Sequence, residues 1–334
     1  MSVFVIAEAG VNHNGNIKTA KELVDMAVEC GADAIKFQTF RAEESTGVFA
    51  DKAQYQKEND PIKESQLEMI KKLELPFEQF REIQNYCNEK KIIFISTPDG
   101  VDSLNYLDSL NVPLIKIGST EVTNYEFLKQ IGETGKPIIL STGMSTLGEV
   151  EKAVDVIYST GNKDVKLMHC ITDYPTAIED VNLNAMVTLR NAFKIPVGFS
   201  DHTLGNESAV AAVALGAEFI EKHITLDRGM GGPDHKASMD PNGFKEYVEY
   251  IRNTEKLLGS GIKSPTDREL AIMKDIRRSI VSSCDLKKGT ILKKHMLAYK
   301  RPGNGIKPEM ADVLIGRGLK RDMKKDEVIE WKDI

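Results

Sequence analysis

Cysteine is scarce in this chain: four among 334 residues, at Cys30, Cys87, Cys170 and Cys284, with no CxxC pair. That spacing excludes a disulfide-stapled scaffold. All four are expected as free thiols, small buried hydrophobes in a reducing cytoplasm. Long hydrophobic runs are also missing. None approaches the ~20 apolar residues of a membrane span. The first residues, Met1-Ser2-Val3-Phe4-Val5-Ile6-Ala7-Glu8, lack a basic stretch, and Glu8 interrupts the apolar run, so no signal peptide is expected. An excess of positive charge is absent too. Lys and Arg total 44 against 50 Asp and Glu, a formal net charge of -6. Nonspecific nucleic-acid binding rests on Lys and Arg contacts to phosphate, so that class is excluded.

What is present is an ordinary soluble composition, 41% hydrophobic and 28% charged. The length suits a barrel of about 250 residues with a small appendage. Short apolar runs rich in Val, Ile and Phe recur at Val3–Ala9, Ala34–Thr39, Ile92–Thr97, Leu114–Ser119, Pro137–Thr142, Val165–Cys170, Pro196–Asp201 and Phe219–Thr225. Most are continuous rather than alternating, the pattern of parallel strands buried on both faces. Between them lie stripes of helical period: Ala20-Leu23-Val24-Ala27-Val28, Val150-Ala153-Val154-Ile157 and Ala209-Val210-Val213-Ala214. Eight such units predict a closed (β/α)8 TIM barrel, with an open parallel sheet as the alternative.

One connection is too long. More than fifty residues separate Thr39 from Ile92, where ~10–25 suffice for a crossover helix. The polar segment 41–60 is expected as a loop insertion over the active-site face. The predicted division is a barrel over 1–258, a Gly/Ser/Pro linker over 259–266 and a small β-rich domain over 267–334. That last domain carries an internal echo: Asp285-Leu286-Lys287-Lys288-Gly289-Thr290-Ile291 resembles Asp322-Met323-Lys324-Lys325-Asp326-Glu327-Val328. Each copy is expected as strand, turn and strand, with too little core to stand without docking.

Chemistry in such a barrel sits at the C-terminal strand ends. Polar residues gather there in all eight runs: Glu8; Lys36 and Gln38; Ser96-Thr97; Lys116 and Ser119-Thr120-Glu121; Ser141-Thr142; His169 with Asp173 and Tyr174; Ser200-Asp201-His202; Glu221, Lys222 and His223, with Asp234 following. Charges in strands buried on both faces cost several kcal/mol unless paired. Two lysines together with repeated hydroxyls are the parts that hold a phosphate or a phosphorylated acid. His202 and His223 end adjacent strands with Glu8 and Asp234 at hand, a set that suits Mn2+, Mg2+, Co2+ or Zn2+.

Several of these runs resemble the sialic acid synthase family. They are Ile6-Ala7-Glu8-Ala9-Gly10-Val11-Asn12-His13-Asn14-Gly15, Val197-Gly198-Phe199-Ser200-Asp201-His202-Thr203, Ile220-Glu221-Lys222-His223-Ile224-Thr225-Leu226-Asp227, Gly232-Pro233-Asp234-His235-Lys236-Ala237-Ser238 and Lys300-Arg301-Pro302-Gly303-Asn304-Gly305. The resemblance runs the length of the chain and implies a barrel followed by an antifreeze-like (SAF, β-clip) domain. It also implies a reaction. Phosphoenolpyruvate condenses with an open-chain N-acetylated amino sugar, N-acetylmannosamine giving N-acetylneuraminate, or 2,4-diacetamido-2,4,6-trideoxymannose giving N,N'-diacetyllegionaminate. A metal-dependent aldolase or hydrolase and a silent sugar-acid binding protein are the other readings.

Carried over by the resemblance, His202 and His223 hold a divalent metal, Mn2+ before Mg2+ or Co2+. Lys36, Thr97, Lys116, Ser119, Ser141 and Ser200 bind phosphoenolpyruvate. Glu8 orients or deprotonates the water that attacks C2. Gln38, Glu121, Tyr174 and Asp234 contact the sugar, and Arg301 reaches the site from the tail of a partner subunit in a domain-swapped homodimer. A further phosphate ligand is expected in the long insertion, with Gln56 and Asn59 as candidates. Two positions depart from the family pattern at the sugar-facing rim: Thr120 stands where the family has Gly, and Asp99 where it has Phe.

Overall fold

Eight parallel strands close on one another in chain order: β1 (Phe4–Gly10), β2 (Ala34–Phe40), β3 (Ile93–Asp99), β4 (Ile115–Ile117), β5 (Ile138–Ser141), β6 (Val165–His169), β7 (Val197–Asp201) and β8 (Phe219–His223). β8 returns to pair with β1, so the sheet is a barrel and the open alternative is excluded. This computed structural model describes residues 2–59 and 62–334, without the side chains of Tyr55, Glu58 and Asn59. Two compact units divide the chain, 1–259 and 260–334.

Successive side chains of a strand point to opposite faces. One set, including Val5, Ala7, Ile35, Phe37, Phe94, Leu140 and Phe199, packs with the surrounding helices in the main core. The other set points into the barrel. Ile6, Ala34, Ile95, Ile139, Met168 and Phe219 form a separate buried cluster that fills its floor. Two residues further along the same strands stand Glu8, Lys36, Thr97, Ser141, Cys170 and Glu221, and these line a cavity. A two-residue step therefore turns an apolar plug into a polar chamber.

The helices that cover the barrel are α1 (Ile17–Glu29), α2 (Ala42–Ser45), α3 (Gln54–Asn59), α4 (Gln66–Leu73), α5 (Phe77–Lys90), α6 (Val101–Ser109), α7 (Tyr125–Glu133), α8 (Leu147–Ser159), α9 (Asn184–Phe193), α10 (Glu207–Ala214) and α11 (Pro241–Leu258). In α8 a capping box of Thr146 and Glu149 starts the helix, and the expected stripe Val150, Ala153, Val154 and Ile157 is buried. In α10 the buried face is Ala209, Ala212 and Val213, with Ala214 exposed, a rotation from the expected stripe. The long β2–β3 connection also differs from expectation. Segment 41–60 is not a plain loop but contains α2 and α3. α4 follows, capped by a box of Ser65 and Glu68, and α5 is the crossover helix.

The second unit holds α12 (Asp267–Ile276), the antiparallel pair β9 (Ser279–Ser282) and β10 (Leu297–Lys300), and α13 (Ala311–Leu314). It has a core of its own: Ile280, Leu286, Leu292, Leu297, Ile306, Leu314, Leu319, Met323 and Ile329 are all buried together. That core is larger than the sequence led one to expect. The form of the echo is corrected: its copies are not hairpins but pair with one another. Leu286 and Met323 form an antiparallel bridge. Asp285 accepts the Lys325 N–H and Asp322 accepts the Lys288 N–H, each at 2.8 Å, a local two-fold relation. Cys30, Cys87 and Cys170 are buried as expected, whereas Cys284 is exposed. Among the described residues no helix is long and apolar enough to cross a membrane.

Two charges on the outward face of the barrel are fully buried. Lys222 Nζ lies 3.1 Å from Asp201 Oδ2 with both side chains about fully enclosed. Tyr247 of α11 and Ser208 of α10 donate to the same carboxylate oxygen at 2.9 Å, and Thr203 donates to the other at 2.7 Å. The strand ends that carry His202 and His223 are thereby tied to the helical shell. Removing one partner of a buried pair costs about 3–5 kcal/mol. Lys222→Met is predicted to lower the urea midpoint accordingly, and Asp201→Asn/Lys222→Met to recover most of the loss. An unchanged midpoint in the single variant would contradict this role.

Candidate active site

The polar chamber at the C-terminal end of the barrel has a volume of about 470 Å3. Its base is a cluster of buried ions. Glu221 Oε2 lies 3.3 Å from Lys36 Nζ and 3.5 Å from Lys116 Nζ, and Glu8 Oε1 lies 3.2 Å from Lys36 Nζ. Hydroxyls and an amide surround these charges. Lys36 donates to Thr97 at 3.4 Å and Lys116 to Ser141 at 2.7 Å. Ser200 donates to Glu221 at 3.0 Å, and Gln38 to Glu8 at 3.1 Å.

Burial and the neighbouring charges divide the two carboxyls. Burial raises the Glu221 pKa, but Lys116 and Lys36 outweigh it and hold the group at about 2. Burial raises Glu8 to about 7, with the Glu221 charge adding to the effect against the pull of Lys36. Glu221 is thus a fixed anion between two cations, while Glu8 exchanges its proton near neutrality. Lys116 is pushed down by burial, whereas Lys36 is raised because Glu221 and Glu8 outweigh its desolvation.

Above this base stand the two histidines, their ring centroids 5.4 Å apart at 69°. His202 Nδ1 lies 2.6 Å from the Ile171 carbonyl oxygen, which requires a donor, so Nε2 presents its lone pair. The one Ser200 hydroxyl proton is directed to Glu221, leaving that lone pair available. His223 Nδ1 is buried with no hydrogen-bond partner among the described residues, and the Asp234 carboxylate is 3.8 Å away. Burial lowers His202 to about 4 and His223 well below its usual value, so both rings are neutral at pH 7. Two neutral imidazoles with free nitrogens suit a divalent cation. Among the described residues no group of three His, Cys, Asp or Glu converges to hold a metal ion.

The expected residues fall into place unevenly. Glu8, Lys36, Gln38, Thr97, Lys116, Ser119, Glu121, Ser141, Tyr174, Ser200, His202 and His223 all line the chamber. Asp234 lines an adjoining space of about 140 Å3, shared with Gln38, Tyr174 and His223, and burial raises its carboxyl to about 6. Gln56 lines both spaces; the side chain of Asn59 lies outside the described residues. Arg301 is in the second unit, exposed on the turn after β10.

Sequence reasoning placed Glu221 among the strand-end polar residues but gave it no role in the site. The signal was its parity: in a strand buried on both faces, Glu221 shares the face of His223 and Lys222 takes the other. It also missed Gly143. A Cβ there would stand 2.3 Å from Thr172 Oγ1 and 2.9 Å from Ser119 Oγ, and only glycine lets the Gly143 N–H reach Ser119 at 2.9 Å. Gly143→Ala is predicted to displace Ser119 and weaken inorganic phosphate binding about tenfold, with little change in melting temperature. Unaltered phosphate affinity by calorimetry would contradict it.

The chain matches the model of the NeuB family over residues 23–263 and that of the SAF domain over residues 277–334. It is 44% identical to the N,N'-diacetyllegionaminic acid synthase of Campylobacter jejuni, covering 97% of this chain and 98% of that one. Identity to the enzyme of the same name from Legionella pneumophila is 45%, covering 100% and 95%. The crystal structure of N-acetylneuraminic acid (sialic acid) synthetase from Leptospira borgpetersenii, in complex with citrate, is similar at a TM-score of 0.73 and 34% identity, covering 81% of this chain and 90% of that one. Barrel, tail domain and motifs agree with these matches along the whole length, and the chain belongs to the NeuB family of synthases, with a SAF domain at its C-terminal end.

Proposed function

We propose that this chain condenses phosphoenolpyruvate with the open-chain aldehyde of an N-acetylated amino sugar, giving a 2-keto sugar acid and phosphate. The observation that carries the reading is the pair of buried lysines, Lys36 and Lys116, held on Glu221 beneath a chamber ringed by Thr97, Ser119, Ser141 and Ser200. A structural ion pair alone has no use for a ring of hydroxyls facing an open chamber. A phosphorylated carboxylic acid has use for both. C3 of phosphoenolpyruvate attacks the aldehyde carbon, water adds at C2, and phosphate leaves as the keto group forms. Glu8 accepts one proton of that water, which is made good at the new alkoxide, and the second water proton leaves with the phosphate as the C2 hydroxyl becomes the keto group. The neutral imidazoles of His202 and His223 support a divalent cation of the Mn2+ kind, which when bound polarises the aldehyde oxygen as a Lewis acid.

For the sugar, the relatives named for N,N'-diacetyllegionaminic acid are 44% and 45% identical, against 34% for the N-acetylneuraminic acid synthetase. That difference favours 2,4-diacetamido-2,4,6-trideoxymannose over N-acetylmannosamine. The test is phosphoenolpyruvate consumption against a panel of N-acetylated amino sugars with Mn2+. Consumption that requires both sugar and metal, and stops in excess chelator, is expected. Phosphate release without sugar would instead mark a metal-dependent hydrolase.

Glu8 is protonated below about 7 and a carboxylate above it. As the base it requires the carboxylate, so kcat should rise with pH through about 7. Glu8→Gln is predicted to abolish that limb and lower kcat about 10²–10⁴-fold with both KM values little changed. A pH profile that keeps its limb in the variant would move the role elsewhere. In the same reading the active unit is a homodimer with exchanged tails, each presenting Arg301 to the partner's sugar. Mixing Glu8→Gln with Arg301→Ala subunits under exchange conditions should restore activity, and no recovery despite proven exchange would contradict the swap.

A further inference from the structure

The space of about 140 Å3 beside the main chamber has an uneven lining. One wall is apolar: Val11, Phe40 and Leu73 form a small buried cluster with Ile70 packed on it. That wall joins the insertion helix α4 to the ends of β1 and β2. The polar part of the lining includes Asp99, the last residue of β3, with Ser45, Gln56, Gln38 and Asp234. Asp99 lines both the main chamber and this side space. Its Oδ2 accepts the Ser45 hydroxyl at 2.5 Å, and Oδ1 has no protein partner among the described residues. A carboxylate held by Ser45 and an apolar cluster that line one space are together complementary to a group with an N–H at one end and a methyl at the other. A secondary acetamido group has that form. A hydroxyl or hydroxymethyl group fills the space poorly and brings polar surface against Phe40 and Leu73.

We infer that Asp99 and the adjoining apolar space form the subsite for a second acetamido group of the sugar, and that Asp99 sets the preference for a diacetamido over a monoacetamido substrate. This rests on the condensation reading above. The Asp99 carboxylate, held in place by Ser45, accepts the amide N–H, and the acetyl methyl lies against Val11, Phe40, Ile70 and Leu73. A charge-assisted hydrogen bond made by one substrate and replaced by water in the other gives discrimination of the order of tenfold to a hundredfold. Ser45 contributes by fixing the carboxylate before substrate arrives, because a preset acceptor spares the cost of ordering it.

The test compares kcat/KM of the full-length protein for 2,4-diacetamido-2,4,6-trideoxymannose and N-acetylmannosamine, with saturating phosphoenolpyruvate and Mn2+. Wild type should prefer the diacetamido sugar by at least about tenfold. Asp99→Ala should lose about tenfold to a hundredfold on that sugar, mostly through KM, and less than about threefold on N-acetylmannosamine. Asp99→Phe, which fills the space, should reverse the preference. Retained phosphoenolpyruvate affinity by calorimetry in both variants establishes that they are folded. Equal losses on both sugars, or no loss on either, would overturn the assignment. Wild-type turnover of N-acetylmannosamine alone would overturn it while leaving the condensation intact. Turnover of neither sugar would overturn both.

Discussion

Glu221 carries the electrostatic constraint on which the chamber depends. It sits between Lys36 and Lys116 in a barrel whose floor is otherwise apolar, and all three side chains are almost wholly enclosed. An isolated ion at such a depth costs several kcal/mol, and Glu221 without its lysines would be protonated or the barrel would not close around it. The lysines depend on it equally. Lys116 is already pushed toward losing its proton by burial, and the Glu221 charge is what opposes that. The cluster therefore keeps two cations charged at the bottom of a chamber before any anion arrives, which is the preorganisation an anionic substrate needs.

That constraint propagates outward through strand parity. Residues at one face of β7 and β8, namely Ser200, Glu221 and His223, belong to the chamber, while their neighbours Asp201 and Lys222 turn to the helical shell and pair there with Tyr247. A register slip of one residue in β8 would place Lys222 in the chamber and Glu221 against the helices. Charges on both faces thus fix the register, since a slip of β8 alone separates Glu221 from Lys36 and Lys116 and Lys222 from Asp201.

Much of this was legible in the sequence. Continuous apolar runs such as Pro137–Thr142 marked strands with two buried faces, and charges placed inside other runs marked the strand ends as the site. Glu8, Lys36, Lys116 and the two histidines were readable because a charge inside such a run must either be paired or face a polar chamber. Glu221 escaped because three consecutive polar residues, Glu221-Lys222-His223, obscure which ones share a face until the direction of the strand is known. Ser45 was missed, and Gln56 was named only as one of two candidates in the insertion. They reach the chamber from α2 and α3 of the insertion, short helices with little apolar period to mark them in the sequence. The core of the tail domain was underestimated for a related reason. Its nine buried residues are spread one or two at a time over several short segments, and only their long-range pairing brings them together.

The central claim is that the inward-facing layer above the apolar floor holds a phosphorylated acid on two lysines beside a cation on two histidines. A crystal structure of the protein with phosphoenolpyruvate and Mn2+, phased to show the metal by its anomalous signal, addresses it directly. The account predicts an anomalous peak between the His202 and His223 rings, and phosphoenolpyruvate oxygens within hydrogen-bond reach of both Lys36 Nζ and Lys116 Nζ. A metal peak away from the two rings, or phosphoenolpyruvate seated out of reach of both lysines, would contradict it.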